Sequence, residues 1–244
     1  RLRAHLLSRA DWVVDSWSAA AIHGFGQFSD GADTCLLGPG RSTYPASPLE
    51  PQRRRLQDDV PRRRWRWAGM LFDVVTPEVA LVRCLVDVLS GKHGWGLPPV
   101  PEPRFTRAVQ LVDAYRLAGH SLAAVPATAK GRINARLLRR ILRASDGGAE
   151  SPRETLLRLL LNRIEGLDLV SQVPVFAGER LVTRFDLADR ARQVGFMYDG
   201  AHHGGGERDL ALGDVVHLHH RPQRVVAAQH QQARVGAGHD KIDP

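Results

Sequence analysis

Two short runs in the second half of the chain alternate apolar and polar residues, and each contains an acid. The first run is 182–188, with Asp186, and the second is 194–203, with Asp199 followed by a glycine and a pair of histidines. Alternation with a period of two predicts β-strands. Two carboxylates on adjacent strands, with a cation and imidazoles beside them, form a place where a divalent metal ion and a phosphodiester can meet.

The alternation also predicts which side chains share a face. Arg184 lies two residues before Asp186, and Met197 lies two residues before Asp199, so each pair points the same way. The apolar residues between them are expected to face a core; they are Phe185, Leu187, Phe196 and Tyr198.

A third acid completes a candidate metal cage. Ser151-Pro152-Arg153-Glu154 is a helix start, and a glutamate on a helix packed against the strands could reach Asp186 and Asp199. Mg²⁺ held by these three carboxylates would neutralise a phosphodiester and activate water. Taken singly, Glu154 favours a helix N-terminus and Asp199-Gly200 is a turn dipeptide.

Basic residues near the acids are candidates for phosphate contacts. His202 or His203 could polarise a scissile phosphate or relay a proton, and both could equally be surface histidines. Arg184 could hold a phosphate oxygen or pair with Asp186. Arg208 is a further candidate for binding DNA phosphate.

Composition restricts the class of protein. The 244 residues suffice for one large domain or two small ones, and the net charge of +8 suits a nucleic-acid partner. Only three of the 34 basic residues are lysines, which is also typical of GC-rich codon usage. Cys35 and Cys84 favour free buried thiols in a reducing cytoplasm. We see no membrane span, no signal peptide and no sign of a small-molecule cofactor.

The pattern along the chain predicts a mixed α/β protein in four parts. Residues 1–90 contain two helices before residue 30, short strands near 34–37 and 70–74 separated by a loop, and a helix from Thr76-Pro77-Glu78. Residues 91–147 are a linker with helices near 105–117 and 133–142. Residues 148–209 open with a helix to about 164, followed by three antiparallel strands near 170–176, 181–187 and 193–198. The tail, 210–244, has five of the eleven histidines and no period, and we expect it to be poorly ordered.

Two arginine-rich runs lie in the predicted loop of the first part, at 53–55 and 62–67. The second run includes Trp65 and Trp67. In such a run, the basic side chains can bind phosphates and the aromatic side chains can stack on bases. A solvated loop leading into a buried tryptophan is the commoner structure for such a run.

Four segments resemble those of actinobacterial proteins with a C-terminal restriction-endonuclease-like domain, which is akin to very-short-patch-repair endonucleases. They are 150–155, 171–175, 184–188 and 198–203. Residues 18–24 and 75–77 resemble an abortive-infection antitoxin-like N-terminal region. The resemblance implies a winged-helix-like N-terminal half, a mixed sheet flanked by helices, and Mg²⁺-dependent cleavage of DNA. It assigns Glu154 to the helix acid, Asp186 to the central strand acid, and Asp199 with His202 or His203 to the turn.

The chain departs from that family twice. Met197 stands where many relatives have glutamate, and a thioether is a poor ligand for a hard cation. The helix and closing strand expected after Asp209 are missing, so the sheet would lose its last strand. We therefore expect a DNA endonuclease of weakened or lost activity. The alternatives are a non-catalytic, antitoxin-like DNA-binding protein and a degenerate gene product.

Overall fold

The structure is a computed structural model that describes residues 1–198 except 10, 30, 44–46, 48, 68 and 93–95. Its described residues form a mixed α/β protein with seven helices and eight strands, which confirms the predicted class. Five strands form one mixed sheet, and three form a second sheet that is antiparallel throughout. The predicted tail and closing-strand region lie outside the described residues.

The five-stranded sheet is built from the first part of the chain. Its elements are α1 (Leu2–Ser8), β1 (Val13–Val14), α2 (Ser16–Ile22), β2 (Cys35–Gly38), β3 (Gln52–Arg55), β4 (Arg62–Trp67), β5 (Met70–Val75) and α3 (Pro77–Ser90). The strand order is β3-β2-β1-β5-β4, with β1 parallel to β5 and antiparallel to β2. Thr76 is the N-cap of α3 and Glu78 lies in its first turn, as the sequence predicts.

The arginine-rich runs are strands, so the prediction of a loop between 37 and 70 is wrong for these two segments. β3 pairs in parallel with β2, and β4 pairs with β5 at the edge of the sheet. An edge strand tolerates a run of charged residues because one side of it faces water. The expected buried tryptophan is also wrong: Trp65 and Trp67 are 37% and 46% exposed, and both line a groove of about 590 Å³.

Three helices of the predicted connector pack on α3 or on one another. They are α4 (Pro103–Leu117), α5 (Val125–Thr128) and α6 (Ala135–Ala144), and Asn134 caps α6 by accepting from two backbone N–H groups. One continuous hydrophobic core extends from Leu6 to Ile141. Residues 91–147 therefore share the core of residues 1–90.

A helix and three strands follow, in the predicted order. They are α7 (Pro152–Leu161), β6 (Leu169–Ala177), β7 (Arg180–Asp189) and β8 (Val194–Phe196), with β7 central. Leu187 and Phe196 pack against α7 in a second small core, and Tyr198 lies beside it. The inward direction predicted for these three side chains is confirmed. The fourth, Phe185, is half-buried with its ring beside Gly195, and it is not a member of this small core.

Both cysteines are buried and unpaired, as predicted. Burial raises the pKa of Cys35 to about 12, so its thiol stays protonated at neutral pH. Among the described helices, none has the length and apolar character needed to cross a bilayer.

Candidate functional site

Glu154 and Asp186 come together where α7 meets the second sheet. The Ser151 hydroxyl caps α7 by accepting from the Glu154 backbone N–H at 3.2 Å, which fixes Glu154 in the first helical turn. Asp186 lies in β7 and is half-buried. Burial is the main cause of the raised pKa of Glu154, and the charge of Asp186 contributes to it, which indicates that the two acids lie near each other. The sequence places them correctly on a helix and on a strand.

Gln172 bonds Glu154 and lies beside Asp186 in the sheet, and the sequence gives no indication of this role. Its side-chain amide donates to Glu154 Oε2 at 3.0 Å. Gln172 and Asp186 both fall between the strand pairs Ser171–Leu187 and Val173–Phe185, so they lie opposite each other. Gln172 has a φ of +55°, which is uncommon for a residue other than glycine. This local backbone turns the amide towards α7.

A third carboxylate, Glu150, belongs to the same cluster. Its backbone N–H donates to Glu154 Oε2 at 3.0 Å, and its side chain accepts two bonds from Arg184 at 2.8 and 3.0 Å. Arg184 therefore pairs with Glu150 and not with Asp186, which corrects one of the two predictions for that arginine. Both partners of this pair are about half exposed, so a phosphate could compete for the guanidinium.

The local environment shifts the pKa of both central acids upwards. Burial raises the pKa of Glu154, and the charges of Asp186 and Glu150 add to the rise against the opposing hydrogen bonds. Burial likewise raises the pKa of Asp186, with a further contribution from Glu150. Carboxylates that repel one another in a partly dry site gain from a bound cation.

Tyr198, two residues after the end of β8, contacts Asp186. The Tyr198 backbone N–H donates to Asp186 Oδ2 at 2.6 Å, and the Tyr198 hydroxyl bonds Arg153 at the start of α7. Asp199, His202, His203 and Arg208 follow, and these candidate residues lie outside the described part of the chain.

Met197 lies at the position opposite Asp186. The β7–β8 register pairs Leu187 with Phe196, so the next pair outward joins Asp186 and Met197. The Met197 side chain is 37% exposed, and the Thr183 hydroxyl points at its sulfur at 3.8 Å. The sulfur thus contacts Thr183, and a thioether at this position is a poor ligand for a hard cation.

A further acid of β7, Asp189, has a structural role. Its carboxylate is buried and accepts from the backbone N–H groups of Arg192 and Asp168 and from the Arg192 side chain. These hydrogen bonds, led by that from the Arg192 backbone, hold the pKa of Asp189 at about 2. These bonds tie the end of β7 to the turn that follows it and to the start of β6.

The described residues contain no group of three or more His, Cys, Asp or Glu side chains arranged to hold a metal ion. Mg²⁺ is commonly bound through one or two protein carboxylates, with water and substrate phosphate completing its six ligands. Glu154 and Asp186 fit that requirement as a pair. No protein-family model, curated protein or solved structure matches the chain, so its function is inferred from these residues.

The raised pKa values predict that the cluster reduces stability. We expect Glu154→Gln and Asp186→Asn each to raise the free energy of unfolding at pH 7 by about 1 kcal/mol or less, because the site is partly exposed. The amides keep an acceptor oxygen for the existing hydrogen bonds but carry no charge. Urea unfolding of both variants and of wild type measures the effect.

The pH dependence follows from the direction of the shifts. An acid whose pKa is raised in the folded state loses stability as pH rises through that pKa. The higher free energy of unfolding of the amide variants should therefore disappear below about pH 4, where the wild-type carboxyls are protonated in both the folded and the unfolded state. Asp168→Asn, at an exposed acid near the start of β6, serves as the control. An equal increase in the free energy of unfolding for Asp168→Asn would contradict the conclusion that the charges of Glu154 and Asp186 reduce stability.

Proposed function

We propose that the chain is a Mg²⁺-dependent DNA endonuclease with a restriction-endonuclease-like core formed by α7 and β6–β8. The observation that carries the proposal is the proximity of Glu154, from a helix, to Asp186, from a strand, with the Gln172 amide bonded to Glu154. The raised pKa of both acids supports it, since clusters of mutually repelling carboxylates are typical of metal and catalytic sites. The winged-helix-like assignment of the first part and the cytoplasmic location remain predictions.

Each residue has a distinct role in this proposal. Asp186 would hold the metal ion together with Asp199, and Glu154 would orient the attacking water or complete the metal site. Bound Mg²⁺ would neutralise the phosphodiester and lower the pKa of a coordinated water. His202 or His203 would steady the phosphate. Gln172 positions Glu154 through its amide, and Arg184 could exchange Glu150 for a phosphate oxygen.

The proposal is tested by incubating the purified full chain with supercoiled plasmid and Mg²⁺, and in parallel with EDTA. We expect nicked and linear DNA only with Mg²⁺. Binding that falls steeply with salt, without any cleavage, would instead select a non-catalytic DNA-binding protein. Met197 favours this second function, because the thioether that lies opposite Asp186 in the strand register is a poor ligand for a hard cation.

Restoring an oxygen ligand opposite Asp186 should strengthen the metal site. We expect Met197→Glu to lower the Mg²⁺ concentration for half-maximal cleavage by about tenfold, which corresponds to about 1.4 kcal/mol. Met197→Gln is the matched control, because it has a similar size and no charge. A Mg²⁺ titration of plasmid cleavage measures the change. The same Mg²⁺ requirement in all three proteins would exclude Met197 from the metal site.

A further inference from the structure

A second cleft, of about 400 Å³, lies between β3 and the C-terminal part of α3. Its lining contains a single carboxylate, Asp87, among the described residues. Six basic side chains surround it: Arg53, Arg54, Arg55, Arg83, Lys92 and Arg132. We name this feature the basic cleft.

The floor of the basic cleft is a fixed network of charges. Arg54 donates to both oxygens of Asp87 at 3.0 and 2.8 Å and to the Ser16 hydroxyl at 3.1 Å. Arg83 lies 2.6 Å from Asp15, a carboxylate with no exposed surface. Two cations are thus balanced by two buried acids, and the floor is neutral as a whole.

The backbone conformation of Ser16 supports this network. Ser16 lies at the junction of β1 and α2 with a φ of +48°, which is strained for a residue with a side chain. That conformation aims the Ser16 hydroxyl at Arg54 and at Asp87, to which it donates at 3.4 Å. The network holds Arg54 in one position before any ligand arrives, which lowers the entropic cost of binding.

The rim of the basic cleft carries the excess charge. Within the described part of the chain, Arg55, Lys92 and Arg132 form no ion pair with a carboxylate. The Arg53 side chain donates to the backbone oxygen of Arg41 and lies 6.0 Å from the Trp12 ring. Four cations around one opening repel one another, and a bound anion would relieve that repulsion.

We propose that the basic cleft binds phosphate groups. Planar guanidinium groups match phosphate oxygens with paired hydrogen bonds, and arginine forms most of the rim. The phosphates could belong to a DNA backbone or to a free polyphosphate. That the bound phosphates belong to DNA rests on the proposed function. Phosphate binding in the basic cleft does not depend on whether the protein cleaves DNA.

The test measures binding of the full chain to a fluorescent 20-base-pair duplex by anisotropy, in EDTA, over a series of KCl concentrations. The variant is Arg55→Gln with Arg132→Gln, two exposed rim residues. The control is Arg139→Gln with Arg143→Gln, which removes the same charge from the exposed face of α6. Thermal unfolding of both variants checks that the fold is intact. A second arm adds pyrophosphate as a competitor and as a stabilising ligand.

We expect the rim variant to bind the duplex about tenfold more weakly and to flatten the slope of log K against log[KCl] by about 2, as for two lost phosphate contacts. The control should change the slope by less than half as much. Pyrophosphate that stabilises wild type but not the rim variant, with duplex affinity unchanged, would assign the site to a free polyphosphate. Equal effects of both variants, without any pyrophosphate effect, would overturn the proposal. The binding measurement is made in EDTA, where no Mg²⁺-dependent cleavage takes place. Its result therefore stays valid even if the nuclease assay shows no cleavage.

Discussion

Replacing Asp186 by alanine is expected to slow Mg²⁺-dependent plasmid cleavage by at least about 100-fold, which corresponds to about 2.7 kcal/mol of transition-state stabilisation. Asp186 is the acid that lies in the centre of the cluster, opposite Gln172 on one side and Met197 on the other. Its loss would leave Glu154 as the only central carboxylate among the described residues of the site. Initial rates of nicking, measured at saturating Mg²⁺, give the effect.

The matched control for this variant is Asp168→Ala. Asp168 is an exposed aspartate next to the same sheet, and its side chain has no contact with the cluster. We expect Asp168→Ala to cleave at the wild-type rate. Equal nicking by wild type and Asp186→Ala would mean that the chemistry has been assigned to the wrong residues, or that a contaminating nuclease acts.

The acid pair could be predicted from the sequence because each residue follows from a local rule. Ser151-Pro152 begins α7 and places Glu154 in its first turn, and alternation in 182–188 places Asp186 on the polar face of β7. Their meeting needs only that a helix packs on the sheet that follows it. The same local rules predicted the order of α7 and β6–β8.

The other members of the cluster depend on contacts between distant residues. Arg184 pairs with Glu150, which is 34 residues away, and no pattern in the sequence specifies that partner. Gln172 reaches Glu154 through a left-handed backbone conformation that glutamine rarely adopts. Propensity and periodicity contain no information about either contact.

The arginine-rich strands were missed for a different reason. Strand prediction relies on an apolar face, but β3 and β4 carry mostly arginine and pair through their backbones. The arginines of β3, which make this strand hard to predict from the sequence, also line the basic cleft. A charged run in a sequence of this kind is therefore compatible with a strand at or near a sheet edge.

Replacing Asp113 by alanine is expected to lower the free energy of unfolding by about 3–5 kcal/mol, the usual cost of removing one partner of a buried ion pair. Asp113, in α4, is almost fully buried and lies 2.6 Å from Arg158 of α7, which is also buried. It further accepts from the Thr155 hydroxyl and from the Asp146 backbone N–H, both at 2.7 Å. Its loss would leave the Arg158 charge with Asp146, at 3.9 Å, as the nearest carboxylate among the described residues.

Two further variants separate the ion pair from the rest of this network. Thr155→Val removes one hydrogen bond to Asp113 and should cost only about 1 kcal/mol. Adding Arg158→Met to Asp113→Ala removes the unpaired charge and should recover part of the loss, because apolar replacements of buried ion pairs are often well tolerated. Urea unfolding measures all of these proteins. A loss below about 1 kcal/mol for Asp113→Ala would contradict the role assigned to the pair.

The result also bears on the carboxylate cluster. Asp113 joins α4, which belongs to the first core, to α7, which carries Glu154. The Asp146 backbone that it holds belongs to the loop leading into α7, and Asp146 in turn bonds Ser171, next to Gln172. If this network positions the cluster, Asp113→Ala should also slow cleavage under conditions in which the variant remains folded. Wild-type cleavage by a folded but destabilised variant would restrict Asp113 to stability alone.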